Sequence, residues 1–125
     1  MPGRIVLVVE DEPLLRAYAA STLEDAGLEV IACATADTAL AFIRSEPDHV
    51  AAVFTDVQMP GDVDGFELAR IVAHHWPGIT VLVTSGRACK PQDFPASAKF
   101  IGKPWSASDM LSVLGEAVAK HCRRP

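Results

Sequence analysis

Acidic, hydroxyl and amine side chains close or follow four apolar runs of this sequence. The residues at these positions are Glu10, Asp11, Glu12, Asp56, Thr84, Ser85 and Lys103. If the runs are parallel strands of one open sheet, their carboxyl ends meet at one edge, where such sheets bind ligands. The sequence therefore predicts that carboxylates, hydroxyls and an amine converge on one rim.

Carboxylates crowded on a rim repel each other, and each disfavours ionisation of the next. A hard divalent cation such as Mg²⁺ (or Mn²⁺) removes that repulsion, because it takes oxygen ligands and keeps several waters. We predict Asp11 and Asp56 as direct ligands, with Glu10 holding a metal-bound water. The backbone carbonyl of Gln58 could complete the protein's share of the ligands.

Carboxylate, metal, lysine and hydroxyl are together the groups needed to transfer a phosphoryl group to an aspartate. The metal neutralises equatorial oxygens, Lys103 adds a second positive charge and Thr84 donates a hydrogen bond. Asp56 is the predicted nucleophile because it ends the central strand. Each feature alone has an ordinary explanation: Glu12 is predicted to be a solvated helix-start acid, and Lys103 could be a loop lysine. Four strand ends that agree favour the chemical interpretation.

The apolar runs alternate with segments of helical periodicity, which predicts an α/β fold: a parallel sheet with helices on both faces. The predicted strands are 5–9, 29–33, 50–55, 79–84 and 99–101. The predicted helices are 13–26, a segment from the Thr35 cap to about 45, 64–75, and a last helix that opens at the Ser106-x-x-Asp109 capping box. Three strands are almost wholly apolar, which is typical of parallel strands covered on both faces.

One face of the first predicted helix is lined by Leu15, Tyr18, Ala19, Thr22 and Ala26. One segment breaks the alternation of strands and helices. Segment 87–98 contains Pro91 and Pro95, so it predicts a short helical turn or an irregular loop in place of a long fourth helix.

Composition limits the possible functions. The chain has 125 residues, of which 50% are apolar, and a net charge of −5, so we predict one globular domain, residues 1–125. The acidic balance argues against direct binding of nucleic acid. No apolar stretch reaches the roughly 20 residues that cross a bilayer, and no signal peptide is evident. We expect a cytoplasmic protein without membrane insertion.

Four motifs, in this order and spacing, make the chain resemble the receiver domains of two-component response regulators over about residues 4–120. The motifs are VLVVEDEPLLR (6–16), TDVQMPGDVDGFELA (55–69), VLVTSG (81–86) and FIGKPW (100–105). The resemblance implies a flavodoxin-like, doubly wound, five-stranded sheet in the order 2-1-3-4-5. It also implies phosphorylation by a sensor histidine kinase or a histidine phosphotransfer protein, which would switch binding of a downstream protein. No enzymatic activity beyond self-catalysed transfer and dephosphorylation is expected.

The resemblance assigns roles to individual residues. It implies Asp56 as phosphoacceptor, Glu10 and Asp11 as the acidic pair, Thr84 as switch hydroxyl, Phe100 as switch aromatic, Lys103 as the phosphate-contacting lysine, and a cis Lys103–Pro104 bond. Three departures accompany it: loop 60–65 is one residue longer than usual, segment 84–103 is short, and Trp105 replaces a phenylalanine.

Three other functions compete with this interpretation. A metal-dependent aspartyl-phosphate phosphatase usually carries D-x-D on the first strand, whereas this strand ends in Glu10-Asp11-Glu12. A flavodoxin-like cofactor carrier needs a Gly/Ser/Thr-rich first loop, and this loop is acidic. A non-phosphorylated pseudo-receiver that only binds partners would not need the full set of site residues. No output domain follows the last helix, so the expected partner is another protein, unless the chain is part of a longer one.

Overall fold

Apolar strands and helices alternate along the chain in the computed structural model, which describes residues 4–59, 61, 63–86 and 94–122. The strands are β1 (Ile5–Val9), β2 (Glu29–Cys33), β3 (Val50–Asp56), β4 (Thr80–Ser85) and β5 (Lys99–Gly102). The helices in this part of the chain are α1 (Pro13–Asp25), α2 (Ala36–Ser45), α3 (Gly65–His75) and α4 (Ala107–Cys122), and a 3₁₀ turn, Pro47–His49, leads into β3.

The five strands form one parallel sheet in the order β2-β1-β3-β4-β5, so the predicted fold class and strand order are confirmed. Strand ends differ slightly from prediction, because backbone pairing continues into the polar residues. Asp56 of β3 pairs with Thr84 of β4, and Ser85 pairs with Gly102 of β5. The polar residues of the rim are therefore the last rungs of the sheet, which gives their backbone fixed positions.

Two apolar cores lie on opposite faces of the sheet. Successive β1 side chains divide between them: Leu7 and Val9 pack with α2 and α3, and Val6 and Val8 pack with α1 and α4. This burial on both faces explains why β1 is wholly apolar and why the central residues of β3 and β4 are apolar as well. The polar rim is left at the carboxyl ends of the strands.

Side-chain caps fix where the four described helices begin, and the cap of α3 is Asp64, whose Oδ1 accepts from Glu67 N at 2.8 Å. Thr35 Oγ1 accepts a hydrogen bond from Thr38 N at 3.1 Å, and Ser106 Oγ accepts one from Asp109 N at 3.0 Å, as the capping pattern predicts. Glu12 is the N-cap of α1, where its carboxylate accepts from Leu15 N at 2.9 Å. Glu12 is thus a helix-start acid, as predicted.

The predictions for segment 87–98 and for the buried face of α1 are each confirmed only in part within the described residues. Residues 94–98 contain a turn and no helix, while the rest of the predicted loop, 87–93, lies outside the described residues. On α1, Ala19 is buried, but Leu15 and Tyr18, predicted to share its face, are 42% and 57% exposed. In the described chain, no helix is both long and apolar enough to cross a membrane.

Candidate functional site

Asp56 lies at the carboxyl end of β3, with its carboxylate held from two directions. Val57 N donates a hydrogen bond to Asp56 Oδ1 at 2.8 Å, and Lys103 Nζ lies 3.2 Å from Asp56 Oδ2. Its side chain is 13% exposed, so the carboxylate remains accessible at the rim. The next backbone segment is tied back as well, since Gly65 N donates to Val57 O at 2.8 Å.

Glu10, Asp11 and Asp56 form an acidic trio, in which one carboxylate oxygen from each residue lies within 4.8 Å of the others. Glu10 is buried and Asp11 is exposed. Burial is the main reason that the pKa of Glu10 is raised above its ordinary value of 4.5, and the nearby charge of Asp56 raises it further. The backbone N–H of Glu12, 3.1 Å from Glu10 Oε2, acts in the opposite direction.

Lys103 joins this trio from β5. Its Nζ lies 3.8 Å from Glu10 Oε1, besides its closer contact with Asp56. The backbone brings it there: Lys103 N donates to Ser85 O at 3.0 Å, and the Lys103–Pro104 bond is cis, as the resemblance implies. A loop lysine without a role is therefore a poor explanation, because Lys103 contacts two of the three carboxylates.

The Thr84 hydroxyl faces this group without a hydrogen-bond partner among the residues that the structure describes. Thr84 is 2% exposed, and its neighbour Ser85 is also buried. An unsatisfied buried polar atom costs about 1–3 kcal/mol, so such atoms are rare unless a ligand or a second conformation uses them. Thr84 is aligned with Asp56 across β3 and β4, where a group bound to that carboxylate would meet it.

The donor set fits a divalent metal ion. Lys103 contacts two of the three carboxylates, and the carboxylate oxygens of the trio are hard ligands that suit Mg²⁺ or Mn²⁺. The structure thus brings together Glu10, Asp11, Asp56, Thr84 and Lys103 as predicted from the sequence. Gln58 lies exposed two residues beyond Asp56, and the role of its carbonyl stays a prediction.

The sequence model of one protein family, described as the response regulator receiver domain, matches residues 6–114 of the chain. The chain belongs to this family. The receiver domain of NtrX from Brucella abortus is 31% identical, with 91% of this chain and 98% of that chain covered and a TM-score of 0.77. A response regulator receiver protein from Sinorhizobium medicae WSM419, 22% identical, shows the same fold with a TM-score of 0.85, over 95% of this chain and 97% of that one.

Curated relatives include proteins of similar and of much greater length. The response regulator receiver protein CpdR of Brucella abortus is 29% identical over 111 residues, which are 86% of this chain and 90% of CpdR. The transcriptional regulator NtrC of Rhizobium meliloti is 30% identical over 129 residues, spanning 100% of this chain and 26% of that protein. The chain matches the same share, 26%, of the regulator NtrX from Azorhizobium caulinodans. This chain is a receiver domain of the two-component type, and it spans 26% of the length of NtrC and of NtrX.

Phe100 of this receiver domain packs in an aromatic trio that sequence reasoning did not detect. Its ring stacks on Phe66 of α3 with centroids 6.2 Å apart, and Phe94 meets both rings edge-on. All three side chains are half-buried. Phe94 lies in the irregular segment before β5, so Phe100 connects that segment with α3.

The rim of the receiver domain borders an apolar surface formed by Leu14, Leu15, Tyr18 and Trp105, called here the α1–Trp105 surface. Leu14 is 79% exposed, and the Tyr18 ring stacks on Trp105 with centroids 5.6 Å apart. An open cavity of about 350 Å³ lies between Leu15, Tyr18, Trp105 and the Lys103–Pro104 pair. Lys103 thus faces Asp56 on one side and this cavity on the other.

The raised pKa of Glu10 gives a pH-dependent prediction for the metal-free protein. The folded state binds a proton at Glu10 more tightly than the unfolded state, so this group's contribution to stability is fully present below pH 4.5 and is lost as the pH rises through the folded pKa. Glu10→Gln removes the ionisation and keeps an acceptor for Glu12 N. We expect the variant to exceed wild type in unfolding free energy at neutral pH.

This advantage should shrink as the pH falls through the Glu10 pKa. Urea unfolding in the presence of a chelator, at several pH values, measures the difference between the two proteins. An advantage that stays constant across that range would show that burial does not penalise the Glu10 charge. In saturating Mg²⁺, the unfolding free energy of wild type should approach that of Glu10→Gln in chelator, because a cation would offset the Glu10 charge.

Proposed function

We propose that this receiver domain accepts a phosphoryl group on Asp56 from a sensor histidine kinase or a histidine phosphotransfer protein. The observation that supports it most is the 3.2 Å contact between Lys103 Nζ and Asp56 Oδ2 within the acidic trio. The lysine already lies where charge would appear once the carboxylate carries a phosphoryl group.

Glu10, Asp11 and Asp56, with the backbone carbonyl of Gln58, would hold Mg²⁺ or Mn²⁺. When bound, the ion would neutralise phosphoryl oxygens that the acidic trio otherwise repels. Lys103, the residue after β5, supplies the second positive charge, and Thr84, whose hydroxyl has no partner among the described residues, donates its hydrogen to a phosphoryl oxygen. A phosphoryl group on Asp56 would thereby satisfy a buried donor that has no partner within the described part of the chain.

In the transfer, one Asp56 carboxylate oxygen forms a bond to phosphorus while the bond from phosphorus to the donor histidine nitrogen breaks. The imidazole leaves with the bonding electron pair. Later attack by water on phosphorus releases inorganic phosphate and restores the carboxylate. We propose no enzymatic activity beyond this self-catalysed transfer and hydrolysis.

Phosphorylation would act through Thr84 and Phe100. Movement of Thr84 toward the phosphoryl group frees space behind it, and Phe100 on the neighbouring strand is held by Phe66 and Phe94, which ties any ring rotation to segment 94–98. We propose that residues 1–125 act as one receiver domain that passes the signal to a downstream protein. The match to 90% of the length of CpdR, a response regulator receiver protein, supports this proposal.

The test is the intact mass of the protein after incubation with acetyl phosphate and Mg²⁺. We expect a gain of one phosphoryl group, which a chelator suppresses and hydroxylamine reverses, as for an acyl phosphate. Catalytic turnover of a small phosphomonoester would favour a phosphatase. No mass gain with acetyl phosphate or with a phosphorylated histidine protein would indicate a pseudo-receiver.

A protein donor must reach Asp56 past the α1–Trp105 surface, which offers exposed apolar side chains next to Lys103. Take a phosphohistidine protein that phosphorylates wild type. We expect Tyr18→Ala to lower the rate of phosphoryl transfer from this donor by about tenfold, because aromatic anchors dominate docking. Phosphorylation by acetyl phosphate should be unchanged. Rapid-quench rates with the two donors measure this, and equal slowing with both would show that Tyr18 acts on the site and not on docking.

A further inference from the structure

Arg16, the fourth residue of α1, reaches back to the turn that carries two of the three acids. Its Nη1 donates hydrogen bonds to the backbone carbonyl oxygens of Glu10 at 3.0 Å and Asp11 at 3.4 Å. Nothing in the sequence motif alone assigns Arg16 a function. Arg16 is half-buried, and its guanidinium binds the main chain of two residues whose side chains belong to the acidic trio.

The same turn is held by further bonds. Glu10 Oε2 accepts from Glu12 N at 3.1 Å, Glu12 Oε2 accepts from Leu15 N at 2.9 Å, and Arg16 N donates to Glu12 O at 2.9 Å. The Arg16 N bond is the first helical bond of α1, and the Arg16 side chain ties that helix start back to the turn after β1. The conformation of the turn is fixed by contacts that need no ion.

Arg16 leaves the carboxylates free while it does this. Across the described ranges, no ion pair within 4.0 Å joins Arg16 to a carboxylate, whereas Lys103 contacts two. An arginine bound directly to Asp11 would compete with a metal ion for the same oxygens. An arginine bound to carbonyl oxygens holds the backbone and leaves the carboxylate oxygens available to a metal ion.

We propose that Arg16 is a positioning residue for the metal site: its guanidinium holds the turn so that Glu10 and Asp11 present their carboxylates before the cation arrives. This inference rests on the proposed function, since it concerns the same metal site. Residues that orient metal ligands from outside typically change metal affinity by about 10–100-fold when replaced.

A second effect of Arg16 has the opposite sign. Its positive charge near the trio opposes binding of another cation, so loss of charge alone would strengthen Mg²⁺ binding. Two variants separate the effects. Arg16→Lys keeps the charge and loses the planar fork of donors, and Arg16→Gln removes the charge and keeps a short donor.

The experiment measures the Mg²⁺ dissociation constant of the full chain by titration calorimetry. If geometry dominates, both variants should bind Mg²⁺ more weakly, by about tenfold. Arg44→Gln is the matched control, because Arg44 is exposed in the last turn of α2 and its replacement changes the net charge equally. The control should bind Mg²⁺ as wild type does.

Phosphorylation by acetyl phosphate gives an independent readout. The Mg²⁺ concentration for half-maximal rate should rise in both Arg16 variants, while the rate at saturating Mg²⁺ stays close to that of wild type. Urea unfolding in chelator accompanies each variant, since a purely structural role would lower stability without a selective shift in Mg²⁺ affinity.

Tighter Mg²⁺ binding by Arg16→Gln with unchanged binding by Arg16→Lys would overturn the proposal, because Arg16 would then act only as a charge. Unchanged binding by both variants would overturn it too. A wild-type chain that binds no Mg²⁺ would remove the metal site itself and, with it, the proposed function. Wild type that binds Mg²⁺ no more tightly than the two Arg16 variants would retain the metal site and lose only the role of Arg16.

Discussion

Asp56→Asn is expected to abolish the phosphoryl mass gain from acetyl phosphate and Mg²⁺. The substitution keeps the shape of the side chain and an oxygen acceptor for Val57 N, which donates at 2.8 Å in the wild type. It removes the anionic nucleophile, because an amide oxygen does not form a stable bond to phosphorus under these conditions. The fold should survive, since the variant also relieves repulsion within the acidic trio.

Asp25→Asn provides a matched control for this experiment. Asp25 is an exposed carboxylate at the last position of α1, and its replacement makes the same change in charge and shape. The control should gain the phosphoryl group as wild type does. An undiminished gain in Asp56→Asn would mean that another side chain accepts the group and that Lys103 serves a different purpose.

The sequence predicts the fold and most of the rim because both depend on local patterns joined by one rule of topology. Buried parallel strands such as β1 and β3 are almost wholly apolar, and their carboxyl ends are marked by the first charged residues, Glu10 and Asp56. Once the strands are taken as parallel, their carboxyl ends must share an edge. The convergence of Lys103 on Asp56 follows from this without any knowledge of side-chain contacts.

Contacts between side chains distant in sequence could not be predicted in the same way. The stacking of Phe66 on Phe100 depends on the packing of α3 against β5, and periodicity describes each element separately. The exposure of Tyr18 has a similar cause: helical spacing groups residues on one face, but it does not say how much of that face another element covers. The role inferred for Arg16 likewise depends on a side chain that turns back toward carbonyl oxygens.

The start of α3 gives the second large expected effect. A Cβ atom on Gly65 would clash with the carbonyl oxygen of Asp56 and would lie 2.8 Å from the Cα of Val57. Both are backbone atoms of the segment that holds the phosphoacceptor, so neither can move away like the end of a flexible side chain. Gly65 N also donates to Val57 O at 2.8 Å, which ties the start of α3 to the residue that follows β3.

We therefore expect Gly65→Ala to lower the unfolding free energy by about 2–3 kcal/mol, the upper range for overpacking a tight site. Gly115→Ala in α4 is the control, because a Cβ atom there meets no atom within 4 Å. Alanine in an open helix interior should raise the unfolding free energy by about 0.8–1 kcal/mol. Both substitutions restrict the unfolded chain equally, so the difference in unfolding free energy between them isolates the clash.

The clash should also affect the rate of phosphorylation, because it displaces the backbone of Asp56. At saturating Mg²⁺, Gly65→Ala should be phosphorylated more slowly than wild type, while Gly115→Ala keeps the wild-type rate. Wild-type stability and rate in Gly65→Ala would show that α3 shifts freely, and that its contact with β3 does not hold Asp56 in place.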